Sequence, residues 1–171
     1  TDVAAAVDIK AASIYHHFRS KQELLATLMS RTMDDLIDAA SASIMMQPGP
    51  ADQLAEMVRS YVFLVGSRAS EGVVGDRELR NLEAGNRTLI IAKRDQYQKM
   101  MQGVLGFGKS TNAFHFADTK FTAFSILGMC NHIGIWYRPI GPLSLDDIAS
   151  LSVDAAMRLA GATTHSSDRA D

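Results

Sequence analysis

Five side chains near the start of this chain have the types and spacing to meet a nucleic-acid duplex: Lys10, Ser13, Tyr15, His16 and Lys21. A hydroxyl, a phenol and an imidazole can reach base edges in a major groove, and the lysines can hold phosphates. Lys21 falls at the predicted start of a long helix, where unpaired backbone amides add to its charge in attracting an anion. Tyr15-His-His-Phe18 taken alone would equally suit a core-facing cluster at a helix end. A metal reading of His16-His17 is disfavoured. Neighbouring side chains on a helix diverge, and no Cys, Asp or Glu stands at ligand spacing.

These residues need two short helices to carry them. Ala4, Ala5 and Ala6 let one helix lie close against another. Asp8 stands where the chain must turn sharply, and it tolerates a left-handed turn better than most residues. Ile9, Ile14 and Phe18 anchor the second helix and leave Lys10, Ser13, Tyr15 and His16 outward. Ser20-Lys-Gln-Glu23 is then a capping box that opens an amphipathic helix of roughly six turns, through Ile44. Gln47-Pro-Gly-Pro50 ends it.

The stretch Ile14-Tyr-His-His-Phe-Arg-Ser-Lys21 resembles the signature of TetR-type regulators, in which Tyr-x-x-Phe and a following Lys close the recognition helix. The resemblance covers residues 3–37. It implies a homodimer whose two recognition helices enter successive major grooves, about 34–36 Å apart, at an inverted-repeat operator. Carried over by position, it assigns DNA contacts to Lys10, Ser13, Tyr15, His16 and Lys21. Asp8 stands where a Gly is usual, and Ala12 replaces a second small Gly. The chain begins without Met inside what reads as a patterned helix, so a preceding helix is expected.

Past residue 50 the pattern stays helical. Leu54, Met57, Val58, Tyr61, Val62 and Val65 line one helix, a shorter one is expected over Glu71–Gly85, and another over Asn86–Leu105. Gly106-Phe-Gly108 reads as the start of a loop. The span from about Asp118 to Tyr137 is apolar nearly all round, the mark of a central helix. A last helix opens on Ser144-x-x-Asp147, with Leu143 and Ile148 as a hydrophobic staple and Gly161 as its stop. The fold class is all-α, with a helix-turn-helix module at 1–19, a ligand-binding and dimerising bundle at 20–162, and a polar tail at 163–171.

Within the body, Ile135-Trp-Tyr-Arg-Pro-Ile-Gly-Pro-Leu143 resembles a TetR branch whose members often respond to acyl-CoA thioesters. Trp136 beside Arg138 offers a flat apolar face and a cation to such an anionic effector. Asn131 and His132 lie a turn earlier. Arg77, Glu78 and Asn81 on one preceding segment, and Arg94 and Tyr97 on another, complete the candidate ligand set. Trp136 would also suit a dimer seam, and Arg138 a cap on helix carbonyls. Ile126, Ile133, Leu151, Ala155 and Leu159 are the candidate dimer residues, although a core within one subunit would use the same pattern.

Bulk composition narrows the rest. Of 171 residues, 47% are hydrophobic and 21% charged, which excludes wholesale disorder. The net charge of −2 confines any DNA contact to a local patch. Residues 1–31 carry four basic and three acidic groups. One cysteine, Cys130, excludes an internal disulfide framework and suits the cytoplasm. No membrane segment, metal site, cofactor motif, phosphate loop or nucleophile elbow is evident. The expectation is a ligand-responsive repressor that binds double-stranded operator DNA as a homodimer. The alternative is a helical interaction module that does not bind DNA.

Overall fold

The computed structural model describes residue 18 and residues 20–68 and 79–162. Among them the chain forms five α-helices and one 3-10 turn, with no strand. Helix α1 spans Lys21–Met46, α2 Pro50–Ser67, α3 Ala84–Ser110, α4 Thr119–Trp136 and α5 Leu145–Leu159, and the 3-10 turn covers Leu79–Asn81.

Each boundary has a local cause. The Ser20 hydroxyl accepts from the Glu23 amide at 3.1 Å and opens α1. Pro50 sits at the first positions of α2, where its missing N–H costs nothing. The buried Gln53 amide donates to the carbonyls of Ile44 and Gln47, at 3.1 and 2.9 Å, and satisfies the open end of α1. Asp118 caps α4 through the Phe121 amide. Ser144 and Asp147 form the full reciprocal capping box of α5. At the far end of α5, Gly161 takes φ of +57°. Its amide donates to Arg158, and the next amide donates to Met157, a Schellman closure.

Two expectations need correction. Helix α3 does not stop near Leu105 but runs through Gly106-Phe-Gly108 to Ser110. Gly108 is buried, and a Cβ there would collide with the Phe114 ring. The glycine therefore gives up some helix propensity so that Phe114, 1% exposed, can fold back under the helix. The amides of Ala113 and Phe114 both close onto the Gly108 carbonyl. The expected Glu71–Gly85 helix falls mostly outside the described residues. Its described part is the short 3-10 turn, and Gly85 belongs to the first turn of α3 rather than to a helix end.

Helix α2 is the hub of the bundle, packing against all four of the others and most extensively against α5. Its approach to α4 and α5 is close because Gly66 faces Leu145 and Gly134 faces Val65. The main core joins Leu54, Met57, Val58 and Val62 of α2 to Tyr97 and Met101 of α3, Ile126 and Ile133 of α4, and Ile148 of α5. A second, smaller core holds Leu25 and Met29 of α1 against Leu82 and Ile90. It pins the start of α1 to the start of α3.

Candidate functional site

The N-terminal end comes first. Lys10, Ser13, Tyr15 and His16 lie outside the described residues. Lys21 is the first residue of α1 and is exposed. The opening amides of a helix have no partners within it, and here the Ser20 hydroxyl takes that of Glu23.

This end of α1 is tied to the body by side chains that the sequence reading did not single out. The Gln22 amide donates to the Asn81 carbonyl at 2.7 Å and accepts from the Glu83 amide at 3.2 Å. Lys93 of α3 donates to both carboxylate oxygens of Asp34 at 2.6 Å and to Ser30 at 2.7 Å. Arg68, after α2, pairs with Asp35 at 2.7 Å. Such partly exposed pairs contribute little stability singly. Together they fix the rotation of α1 relative to α2 and α3.

The body interior holds a different chemistry. Tyr97 is 2% exposed, and its hydroxyl has no hydrogen-bond partner. The Tyr61 ring meets it edge to face, with centroids 5.5 Å apart. Burial, with Tyr61 and Cys130 adding smaller effects, raises the Tyr97 phenol well above its usual value near 10. Burial also pushes the Cys130 thiol up to about 12. At neutral pH both groups are therefore uncharged, and Cys130 lacks the thiolate a redox sensor needs. The buried polar side chains among the described residues are Ser43, Gln53, Thr122 and Ser152, none of them charged.

The expected ligand residues do not converge on one place. Arg94 is half-buried one turn before Tyr97 on α3. Asn131 and His132 are exposed on the outer face of α4, turned away from Tyr97's core. Trp136 is about half exposed and lines an apolar cleft of about 210 Å³ with Met129, Leu143, Ile148, Leu151 and Ser152. Arg138 is exposed and donates to the carbonyls of Tyr137 and Ile135, at 2.8 and 3.2 Å, as a helix cap. Asn81 lends its carbonyl to Gln22. Arg77 and Glu78 lie outside the described residues.

The expected dimer residues also divide. Ile126 and Ile133 are buried in the subunit's own core, at 0% and 2% exposure, so their side chains are not offered to a second subunit. Leu151 and Leu159 are exposed, and Ala155 is half-buried. The apolar side chains that α4 does expose are Phe121, Phe124, Ile135 and Trp136. A helix apolar all round hides this division. The signal was the 3.6-residue period inside it, with Ala123, Ile126, Cys130, Ile133 and Tyr137 assigned inward.

Among the described residues no cluster of His, Cys, Asp or Glu is arranged to hold a metal ion. No helix among them is long and apolar enough to cross a membrane.

Comparison with known proteins fits this architecture. Residues 47–160 match the tetracyclin repressor-like C-terminal domain, and residues 1–28 match the bacterial regulatory proteins of the tetR family. The HTH-type transcriptional repressor KstR2 of Rhodococcus jostii is 26% identical over 151 residues, covering 86% of this chain and 74% of that protein. The solved ketosteroid transcriptional regulator KstR2 of Mycobacterium tuberculosis superposes with a TM-score of 0.83 at 23% identity. That match covers 96% of this chain and 84% of the other. AibR, solved in complex with isovaleryl coenzyme A and operator DNA, superposes with a TM-score of 0.76 at 25% identity. It covers 94% of this chain and 86% of that one.

Proposed function

The chain belongs to the TetR family of bacterial transcriptional regulators, not to an enzyme family, and we propose that it is a homodimeric repressor released from an inverted-repeat operator by an acyl-CoA or similar hydrophobic anion. Lys10, Ser13, Tyr15, His16 and Lys21 face the DNA in this reading, and the protein works in the cytoplasm beside its operator. The second helix pair, α4 and α5, joins the two subunits. AibR, whose complex holds an acyl-CoA and operator DNA together, supports the effector class.

The observation that carries the effector reading is the unpartnered Tyr97 hydroxyl in the core. A buried donor without an acceptor destabilises a fold, and native proteins keep few of them. A ligand acceptor entering between α2, α3 and α4 would satisfy it. Met57 and Met101, both fully buried in the same cluster, are flexible enough to move aside. The ligand must bind one arrangement of the body better than the other, and about 1–3 kcal/mol of coupling is typical. The Gln22 and Lys93 contacts would carry that preference to α1 and so to the spacing of the recognition helices.

A gel shift with the full-length protein and DNA from upstream of its own gene tests the reading. Binding should weaken steeply as salt rises, because phosphate contacts release counterions. An acyl-CoA should then release the DNA. A protein that dimerises but shifts no DNA at low salt would instead be the helical interaction module.

A further inference from the structure

We infer that the effector presents an uncharged oxygen, the carbonyl of a thioester, to the Tyr97 hydroxyl, and that this one bond sets which ligands the body accepts. Resting on the effector reading above, the assignment names the ligand atom that the protein reads and separates thioesters from other hydrophobic anions.

The other buried polar side chains of the described residues have places of their own. Ser43 donates to the Ala39 carbonyl at 2.8 Å, and Thr122 donates to that of Asp118 at 2.8 Å. Gln53 donates to Ile44 and Gln47 at the join of α1 and α2. Ser152 of α5 faces the Trp136 cleft. Among the described residues the Tyr97 hydroxyl is the one fully enclosed side-chain group left without a partner.

Its surroundings decide what kind of partner suits it. Tyr97 stands in the main core with Met57, Met101, Ile126 and Cys130, and the Tyr61 ring meets it edge to face. No buried side chain among the described residues is charged. On α3 itself, Lys93 lies one turn earlier and commits its ammonium to Asp34 and Ser30. Arg94 is half-buried, and Lys99 is exposed.

A ligand carboxylate at Tyr97 would therefore be a buried charge with one neutral hydroxyl for a partner. Taking a charge out of water costs far more than one hydrogen bond returns. An alcohol or amine would bring a donor that itself needs an acceptor. A thioester carbonyl brings an acceptor and no donor. Burial keeps the phenol protonated, so Tyr97 stays a donor at neutral pH. The thioester also lies where an apolar acyl group joins its polar carrier. The acyl group then takes the space that Met57 and Met101 can vacate, and the phosphates of CoA remain in water.

The test uses the full-length protein and matched ligands on one carbon skeleton. These are octanoyl-CoA, the thioether S-octyl-CoA with a methylene in place of the carbonyl, and octanoate. Isovaleryl-CoA, S-isopentyl-CoA and isovalerate repeat the comparison with a short branched chain. Isothermal titration calorimetry reads each dissociation constant. Wild-type protein should bind a thioester at least tenfold more tightly than its thioether, roughly what one net buried hydrogen bond contributes, and should not bind the carboxylate. In Tyr97→Phe the preference for the thioester should vanish or reverse, because the carbonyl then enters the core without a donor. The thioether should bind both proteins equally. A general disturbance of the fold would weaken both ligands together, so a loss confined to the carbonyl compound marks the hydroxyl itself. The wild-type comparison needs no variant and decides the matter if Tyr97→Phe does not fold. A thioester bound no more tightly than its thioether or its carboxylate, or a preference that survives in Tyr97→Phe, overturns the assignment and leaves the effector reading standing. If none of these compounds binds, the effector reading falls with it.

Discussion

Replacing Tyr97 with Phe removes one oxygen atom from the core and leaves the ring in place. The Tyr97 hydroxyl is fully enclosed and makes no hydrogen bond within the protein. An unfolded chain hydrates that hydroxyl, so the folded state without effector bears an uncompensated desolvation cost of about 1–3 kcal/mol. Phe keeps the edge-to-face contact with Tyr61 and leaves no cavity larger than the missing oxygen. Tyr97→Phe is therefore expected to stabilise the effector-free protein by about 1–2 kcal/mol. For a chain of this size that raises Tm by roughly 3–6 °C. Differential scanning calorimetry of the full-length protein at pH 7 reads the shift directly. Under the same reasoning the variant loses affinity for the effector, since the donor that the ligand would satisfy is gone. An unchanged or lowered Tm would refute the argument, because the hydroxyl would then have a partner in the folded state.

Three further outcomes follow from the same geometry. The buried Cys130 thiol titrates near 12 against a usual value near 9, so the folded state resists a deprotonation that the unfolded chain undergoes. Its contribution to stability is whole below pH 9 and is lost as pH climbs from 9 to 12; Cys130→Ala should flatten that part of the alkaline unfolding profile. Gly161→Ala places a Cβ at positive φ and against the His115 carbonyl, and should destabilise the protein by about 2 kcal/mol, seen as an urea midpoint shift. If Lys21 meets a phosphate as proposed, Lys21→Ala should weaken operator binding and reduce the salt slope by about one unit, with Tm little changed, since the side chain is exposed.

Much of the helical order was legible because its punctuation is local chemistry. Ser20, Pro50, Asp118, Ser144 and Gly161 each act through a hydrogen bond or a backbone angle that the residue type itself dictates. Gly106 and Gly108 misled for the opposite reason. The role of Gly108 is tertiary, a space for Phe114, whereas a Cβ on Gly106 would meet nothing, and no local rule distinguishes either from a loop. The stripe on α3 makes Tyr97 a ligand candidate, but the isolation of its hydroxyl depends on what other helices bring near it, Tyr61 of α2 and Cys130 of α4 among them. Apolarity alone makes Ile126 and Ile133 candidates for a dimer seam as much as for a core. In α4 apolarity does not separate inside from outside, and packing against α2, α3 and α5 makes those two internal. Gln22 gives no signal in the sequence because its partners, Asn81 and Glu83, lie some sixty residues away.

The central claim is that a ligand held in the helical body governs how this chain grips DNA. Fluorescence anisotropy of labelled upstream DNA, titrated with full-length protein with and without isovaleryl-CoA and longer acyl-CoAs, addresses it most directly. Salt-sensitive binding that at least one acyl-CoA weakens tenfold or more is the expected result. Operator binding that no acyl-CoA alters would contradict the effector assignment, and an absence of binding at low salt would contradict the repressor reading itself.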